Sequence, residues 1–457
     1  MIRRTWKTGL FIAWSVGLVF PGSTAIADDS STLIDVAATQ NGDAWNSLQS
    51  SIDRAAKNGG TVRLAAGVYS VSQPIVLRPG TTIVGAGMER TTIRNLGRFP
   101  SPLIQIGMKE ESSNVTLQDF CVEQRDNDLK NTHCIFGDNA NDVRMTRIRV
   151  KGSRIEGIIG GAHARRWTLD SCEADGCGAA GPTFGRMSGA GINVTSRDVV
   201  LMRCKTVRCG QGFEFGNLNV HLLYCSAEQP NGAGPSIAFN CGSAVVGVSK
   251  VHLFRCSSAG YPSALIVGNG IGRMSGLVVD GCTFVDGSIS FAGGKPKNSV
   301  VTPDQGPDVS GSYIRDCVIR WTKPSDQASA SMLYATGIKA EDRVLGREPL
   351  IVQRLRVEFT AKPTGKVSTP VLGIAGHVSA PVIFRDCVVE GLDEAPIRGD
   401  GAVFGVLDNQ LPDDIDHIRF INCTAKTPSG VAREFILKTP PKPSAKKPSS
   451  KKTKKGE

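Results

Sequence analysis

The sequence predicts an all-β fold: a solenoid in which one short unit coils about a dozen times and a helix caps the N-terminal end. Three observations predict it. A six-residue frame recurs along the chain, alternating apolar segments precede it, and about 400 residues carry no linker-like break. A single conventional core stops growing near ~250 to 300 residues, so an undivided body of this size points to stacked repeats.

Taken in order, the chain opens with the basic MIRRTWK, then the apolar TGLFIAWSVGLVF, then PGSTAIA. A basic start, a short apolar run and the small residues Ala25 and Ala27 form a secretory signal over residues 1–27, cleaved after Ala27. The run is shorter than the ~18 apolar residues a membrane span needs. The expected location is outside the cytoplasm: secreted, periplasmic or in the cell envelope. Residues 28–42 read as a linker.

The formal charge of +11 resides in the appendages. Residues 1–27 carry +3 and residues 438–457 carry +7, which leaves +1 for the body. The tail KTPPKPSAKKPSSKKTKKGE has no large apolar residue and reads as a disordered polycation. It suits an anionic envelope surface and gives no basis for specific nucleic-acid binding.

The body spans residues 43–437. Trp45, Leu48, Ile52 and Ala55 fall on one face of a helix, with Asp43 as its N-cap. NGGTVRLAAGVYSVSQPIVLRPGTTIVGAG (58–87) then alternates at strand period. The recurring frame follows: apolar, any, any, Cys, any, then apolar or small. It reads LDSCEA (169–174), LMRCKT (201–206), LLYCSA (222–227), LFRCSS (253–258), VDGCTF (279–284), IRDCVI (314–319), FRDCVV (384–389) and FINCTA (420–425). Another apolar residue replaces the cysteine in LQDFCV (117–122), MTRIRV (145–150) and VQRLRV (352–357). Alternation slips at a polar pair such as Arg385 and Asp386, so the frame is two short strands meeting at a bend. A third strand precedes each frame: HCIFG (133–137), GINVT (191–195), GFEFG (212–216), SIAFN (236–240), ALIVG (264–268) and SISFA (288–292). Three strands per turn build three parallel sheets around a narrow core.

Stacked cysteines follow from this frame. Cys172, Cys204, Cys225, Cys256, Cys282 and Cys317 share one inward slot, where in-register side chains ~4.8 Å apart suit apolar filling better than disulfide geometry. Phe120, Ile148 and Leu355 in the same slot agree. Cys177 and Cys209 recur five residues after the slot, near a loop, and are the candidate disulfide. Read as a four-cysteine metal site, the spacing is too wide for zinc pairs.

The opening segment 43–95 and the coil repeat to about residue 430 resemble the right-handed parallel β-helix of the pectate-lyase-like superfamily. There a helix caps the first coil and GGTV, GVY and an apolar pair start the sheets. The resemblance implies a carbohydrate-directed protein with a groove along the outer face of one sheet. With the GINV-type segments as that sheet, the outward column is expected to be Ile135, Ile159, Asn193, Glu214, Ala238, Ile266 and Ser290.

Two function classes follow. One is a polysaccharide lyase acting on an acidic, uronate-bearing polymer by β-elimination, which needs a base plus Arg, Lys or bound Ca²⁺ to stabilise developing charge. Here Glu214 would bind substrate or Ca²⁺, Arg186 or Arg208 would stabilise charge, and His163 or an Arg would be the base; Asn193 and Asn240 would bind substrate. His133, Arg165, Arg166 and Asp175 flank the same column. No metal ligands are identified. The related pectin hydrolases carry Asn-Thr-Asp, paired Asp and Gly-His-Gly; this chain has NTH at 131–133 and GHV at 376–378, and its Asp pairs lie at 28–29 and 413–414. Hydrolysis by that set is therefore not expected. The other class is a non-catalytic surface or adhesion module tethered by the basic tail.

Overall fold

The computed structural model describes residues 33–433 apart from 39–41, 97–101, 125–132, 179–188, 231–236, 243–247, 269–273, 293–308, 325–330, 336–347, 362–370, 376–379, 392–402, 407–416 and 427–431. Signal segment, basic tail, Arg186, GHV and Asp413 to Asp414 lie outside the described residues.

Short parallel strands coil right-handedly, each pairing with its counterpart one turn later, and build three faces. The first runs from Leu33–Val36 and Thr61–Leu64 through Arg165–Asp170 and Val248–Phe254 to Ile418–Ile421. The second runs from Gly67–Val71 through Lys205–Val207 to Thr424–Lys426. Ser112–Glu123 and Ala140–Lys151 pass through the bend as unbroken strands and join these two faces. The third face is a separate 12-stranded parallel sheet from Ile75–Leu77 to Phe404–Val406. Leu33–Val36 lies in the segment expected to be a linker and instead pairs with Thr61–Leu64, so the coil begins before residue 43.

The capping helix is Trp45–Ala56, and it buries Leu48, Ile52 and Ala55 over the first coil. Asp43 Oδ1 accepts from the Trp45 N–H at 2.9 Å, one residue ahead of the Ala44 cap position. The helix also closes the open edge of the third face. Gln49 Nε2 donates to the Val76 carbonyl at 3.0 Å, and the Val76 N–H donates back to Gln49 Oε1 at 2.9 Å. A sheet edge left unpaired would be a template for association.

The recurring frame is the bend between the first two faces. Its third residue has a left-handed backbone in all eleven occurrences: Asp119, Arg147, Ser171, Arg203, Tyr224, Arg255, Gly281, Asp316, Arg354, Asp386 and Asn422, with φ between 49° and 64°. One left-handed residue turns the chain without a loop and shifts the side-chain alternation by one. That places the next residue, the cysteine slot, inward. Seven of the eight thiols there meet the carbonyl three positions before the slot in the preceding coil, as Cys172 to Met145 (3.5 Å), Cys256 to Leu222 (3.3 Å) and Cys317 to Val279 (3.6 Å). The slot thus takes a small apolar group that is also a weak donor.

All thirteen cysteines are buried free thiols. Cys177 and Cys209 are therefore not bridged, contrary to the sequence expectation. Both lie in the core rather than near a loop, in a second inward column where Cys209 Sγ meets the Ala174 carbonyl at 3.5 Å. Stacked residues of one column project in parallel, so their sulfurs do not adopt the near-perpendicular torsion a bridge requires. Burial pushes the Cys121 thiol up to about 11 and raises Cys241 further.

Candidate functional site

The third face positions the candidate site. Register places the outward residues as Val76, Gln105, Phe136, Ile159, Asn193, Glu214, Asn240, Ile266 and Ser290. Two members of the expected column are corrected: Ile135 and Ala238 are fully buried, and Phe136 and Asn240 take their places. The cause is a doubled inward step where each strand enters the sheet. At Gly191 an added Cβ would meet Cys209 Sγ at 2.8 Å, and at Gly212 the Ala238 carbonyl at 2.5 Å, so these positions face the core ahead of Ile192 and Phe213. Counting alternation from the strand start therefore misses by one at Ile135 and by two at Ala238.

That step creates a second outward row, three residues before the column: His133, Glu156, Ala190 and Gln211. The two rows meet around Glu214. Asn193 Nδ2 donates to Glu214 Oε2 at 3.3 Å, and Asn240 Nδ2 donates to Gln211 Oε1 at 3.0 Å. The Oδ1 atoms of Asn193 and Asn240 are buried and accept no hydrogen bond among the described residues. His133 Nδ1 lies 2.9 Å from Glu156 Oε2, with side chains only 14% and 13% exposed. The carboxylate sits off the N–H direction, so the contact is an ion-pair approach rather than an aligned hydrogen bond.

Burial, then the negative charge of Glu156, pushes the Glu214 carboxyl up to about 7. Both effects disfavour its ionised form. At neutral pH this face holds a carboxyl able to donate a proton beside a second carboxylate. Separation of titration between two neighbouring acids is how one site supplies both an acid and a base.

The other sequence-predicted residues do not join this cluster. His163 is 72% exposed and lies past the far end of its strand, 3.1 Å from Asp138 Oδ1. Arg208 occupies a left-handed bend, and its Nη2 donates to both oxygens of Asp175, 2.5 Å from Oδ2. Its charge is already engaged. Asn193, Glu214 and Asn240 occupy consecutive strands as their expected roles require, whereas Glu156 and Gln211 were not singled out. Their signal was legible: HCIFG and EGIIG align with His133 over Glu156, three positions before the column.

No group of three or more His, Cys, Asp or Glu is gathered to hold a metal among the described residues, and Glu156 is held by His133.

The fold defines a right-handed parallel β-helix protein. A family model described as rhamnogalacturonase A/epimerase, pectate lyase-like, matches residues 34–232, which include Glu156 and Glu214. Residues 34–232 are thus similar to that family, and the solved structures share the fold of the chain. It is similar to the catalytic unit of the thermostable GH87 α-1,3-glucanase from Streptomyces thermodiastaticus strain HF3-3. That likeness has TM-score 0.57 and 12% identity, over 88% of this chain and 70% of the other. It is similar to the tailspike protein of E. coli bacteriophage HK620, solved with a pentasaccharide, with TM-score 0.56 and 11% identity over 85% and 78% of the two chains. The A-module of Azotobacter vinelandii mannuronan C-5 epimerase AlgE4 aligns with TM-score 0.49 and 14% identity over 84% and 91%. No curated protein matches the sequence.

Proposed function

We propose that the third face is the active site of a carbohydrate-cleaving enzyme in which Glu214 is the general acid and Glu156, oriented by His133, the general base. The observation that carries this reading is the Glu214 carboxyl, pushed up to about 7 beside the Glu156 charge. Glu214 donates its proton to the glycosidic oxygen as that bond breaks. Glu156 takes a proton from the water that attacks the anomeric carbon, so a hydroxyl is added to one sugar and a proton to the other. The strands bearing the two residues are two spacings apart, about 9.6 Å along the stack. Asn193 and Asn240 flank Glu214 on the neighbouring strands and are the candidate sugar-binding residues. Neutral glycans suit a face on which the Glu156 charge would repel a uronate carboxylate.

A second reading keeps the same residues for β-elimination on an acidic polymer. Its support is that a neutral Glu214 with Asn193 beside it can hydrogen-bond a uronate carboxylate while the His133 and Glu156 pair takes the α-proton. Incubation with panels of neutral and uronate polysaccharides separates the two. New reducing ends without ultraviolet absorbance mean hydrolysis, and an absorbing unsaturated uronate means elimination. A chain that yields neither product on any polymer sinks both and favours the non-catalytic adhesion module. Export and tail tethering rest on the N-terminal and C-terminal segments; deleting residues 438–457 should release the protein from its envelope fraction.

A further inference from the structure

The outward column does not begin at the acid–base pair. It starts at Val76 and Gln105 on the first two strands of the third face, and there a cavity of about 190 Å³ opens. Val76 and Met108 give it an apolar side; Lys109, Glu111 and Ser112 give it polar groups. Ser112 closes the lining from beneath: it is 2% exposed, and its Oγ is buried with no partner among the described residues. Glu111 is held at the rim by Asn141 Nδ2 at 2.6 Å, which fixes a carboxylate in place to accept a hydrogen bond.

We propose that this cavity is a distal subsite for one neutral pyranose ring of a glycan bound along the third face. An apolar wall facing polar groups complements a sugar, which has a C–H face and a hydroxyl rim. Four strand steps, through Phe136, Ile159 and Asn193, separate Gln105 from Glu214. At about 4.8 Å per step this is about 19 Å. One step is close to the length of one sugar in an extended chain, so the cavity receives a ring about four residues from the bond cleaved. Half-buried Phe136 lies between as a surface for a ring to stack on.

The inference rests on Glu214 marking the reacting bond, but its test does not need turnover. Calorimetric binding of neutral gluco-, xylo- and galacto-oligosaccharides, from dimer to octamer, is measured on the full chain carrying Glu214→Gln. Affinity is expected to rise about tenfold between tetramer and hexamer. Glu111→Gln and Met108→Ala, each added separately, are expected to remove that rise and leave dimer binding unchanged. The proposal is overturned if affinity levels off at the tetramer, if both substitutions weaken dimer and octamer equally, or if none of these chains binds. Turnover that survives Glu214→Gln instead refutes the acid–base reading, while a length-dependent step at the cavity would still stand.

Discussion

Two columns of the same solenoid contrast sharply. The bend column repeats one solution eleven times: a left-handed residue, then a small or apolar group facing inward. The outward column of the third face changes at every step, from Phe136 to Ile159, Asn193, Glu214, Asn240 and Ile266. Repetition marks what every coil needs to stack. The candidate chemistry sits where the repeat is free to vary, because outward residues are not constrained by the core.

Breaking the varied column should have the largest effect. Glu214→Gln is expected to lower the turnover rate by about a hundred- to ten-thousand-fold, with the circular dichroism spectrum unchanged. Glu156→Gln should reduce turnover as well and, in its residual activity, move the alkaline limb to lower pH. In the wild type, activity should fall as pH rises through about 7, as the Glu214 proton is lost. Removing the Glu156 charge removes one of the two causes of that raised value. An alkaline limb that stays put in Glu156→Gln contradicts the coupling.

Stability carries the same signature with a defined sign. Glu214 binds its proton more tightly folded than unfolded, so stability is full below the ordinary glutamate range and is lost as pH rises toward 7. The loss amounts to about 3 kcal/mol at most. Glu214→Gln should therefore stabilise the protein at pH 8 and do little at pH 4, as read by urea unfolding at both values.

Breaking the repeated column should cost stability and leave catalysis alone. Cys282→Ala is expected to destabilise by about 1–2 kcal/mol with turnover unchanged. None of the thirteen thiols should react with a thiol reagent until the chain unfolds, since all are buried. A rapid native reaction of any one would contradict the packing. The smallest effect is expected at the exposed side chains of the bend itself. Arg354 donates to both Asp316 oxygens, at 2.5 and 2.7 Å, yet the pair is about half exposed. Arg354→Ala should change stability by less than about 1 kcal/mol.

Much of the fold was legible in sequence because its rule is local. A bend needs one left-handed residue and one inward slot, and both lie within six positions, so the frame in FRDCVV carries its geometry with it. The capping helix was legible for the same reason, through Leu48, Ile52 and Ala55. The strand at Leu33–Val36 was not, because four residues with two buried positions declare themselves only when Thr61–Leu64 lies alongside.

The site divides along the same line. Sequence alone determined which strand carries Asn193 and Glu214 and that they face away from the core. Tertiary structure decided the partners: Glu156 comes from two coils earlier, His133 from three, and Arg208 is withdrawn to Asp175. Even the column's membership at Phe136 and Asn240 depended on the doubled inward step before each strand. Side-chain alternation is set by neighbours along the chain, whereas burial and charge at Glu214 are set by coils 20 to 80 residues away. Variable loops between coils let that distance differ at every turn, so register, and with it the chemistry, was fixed only by stacking.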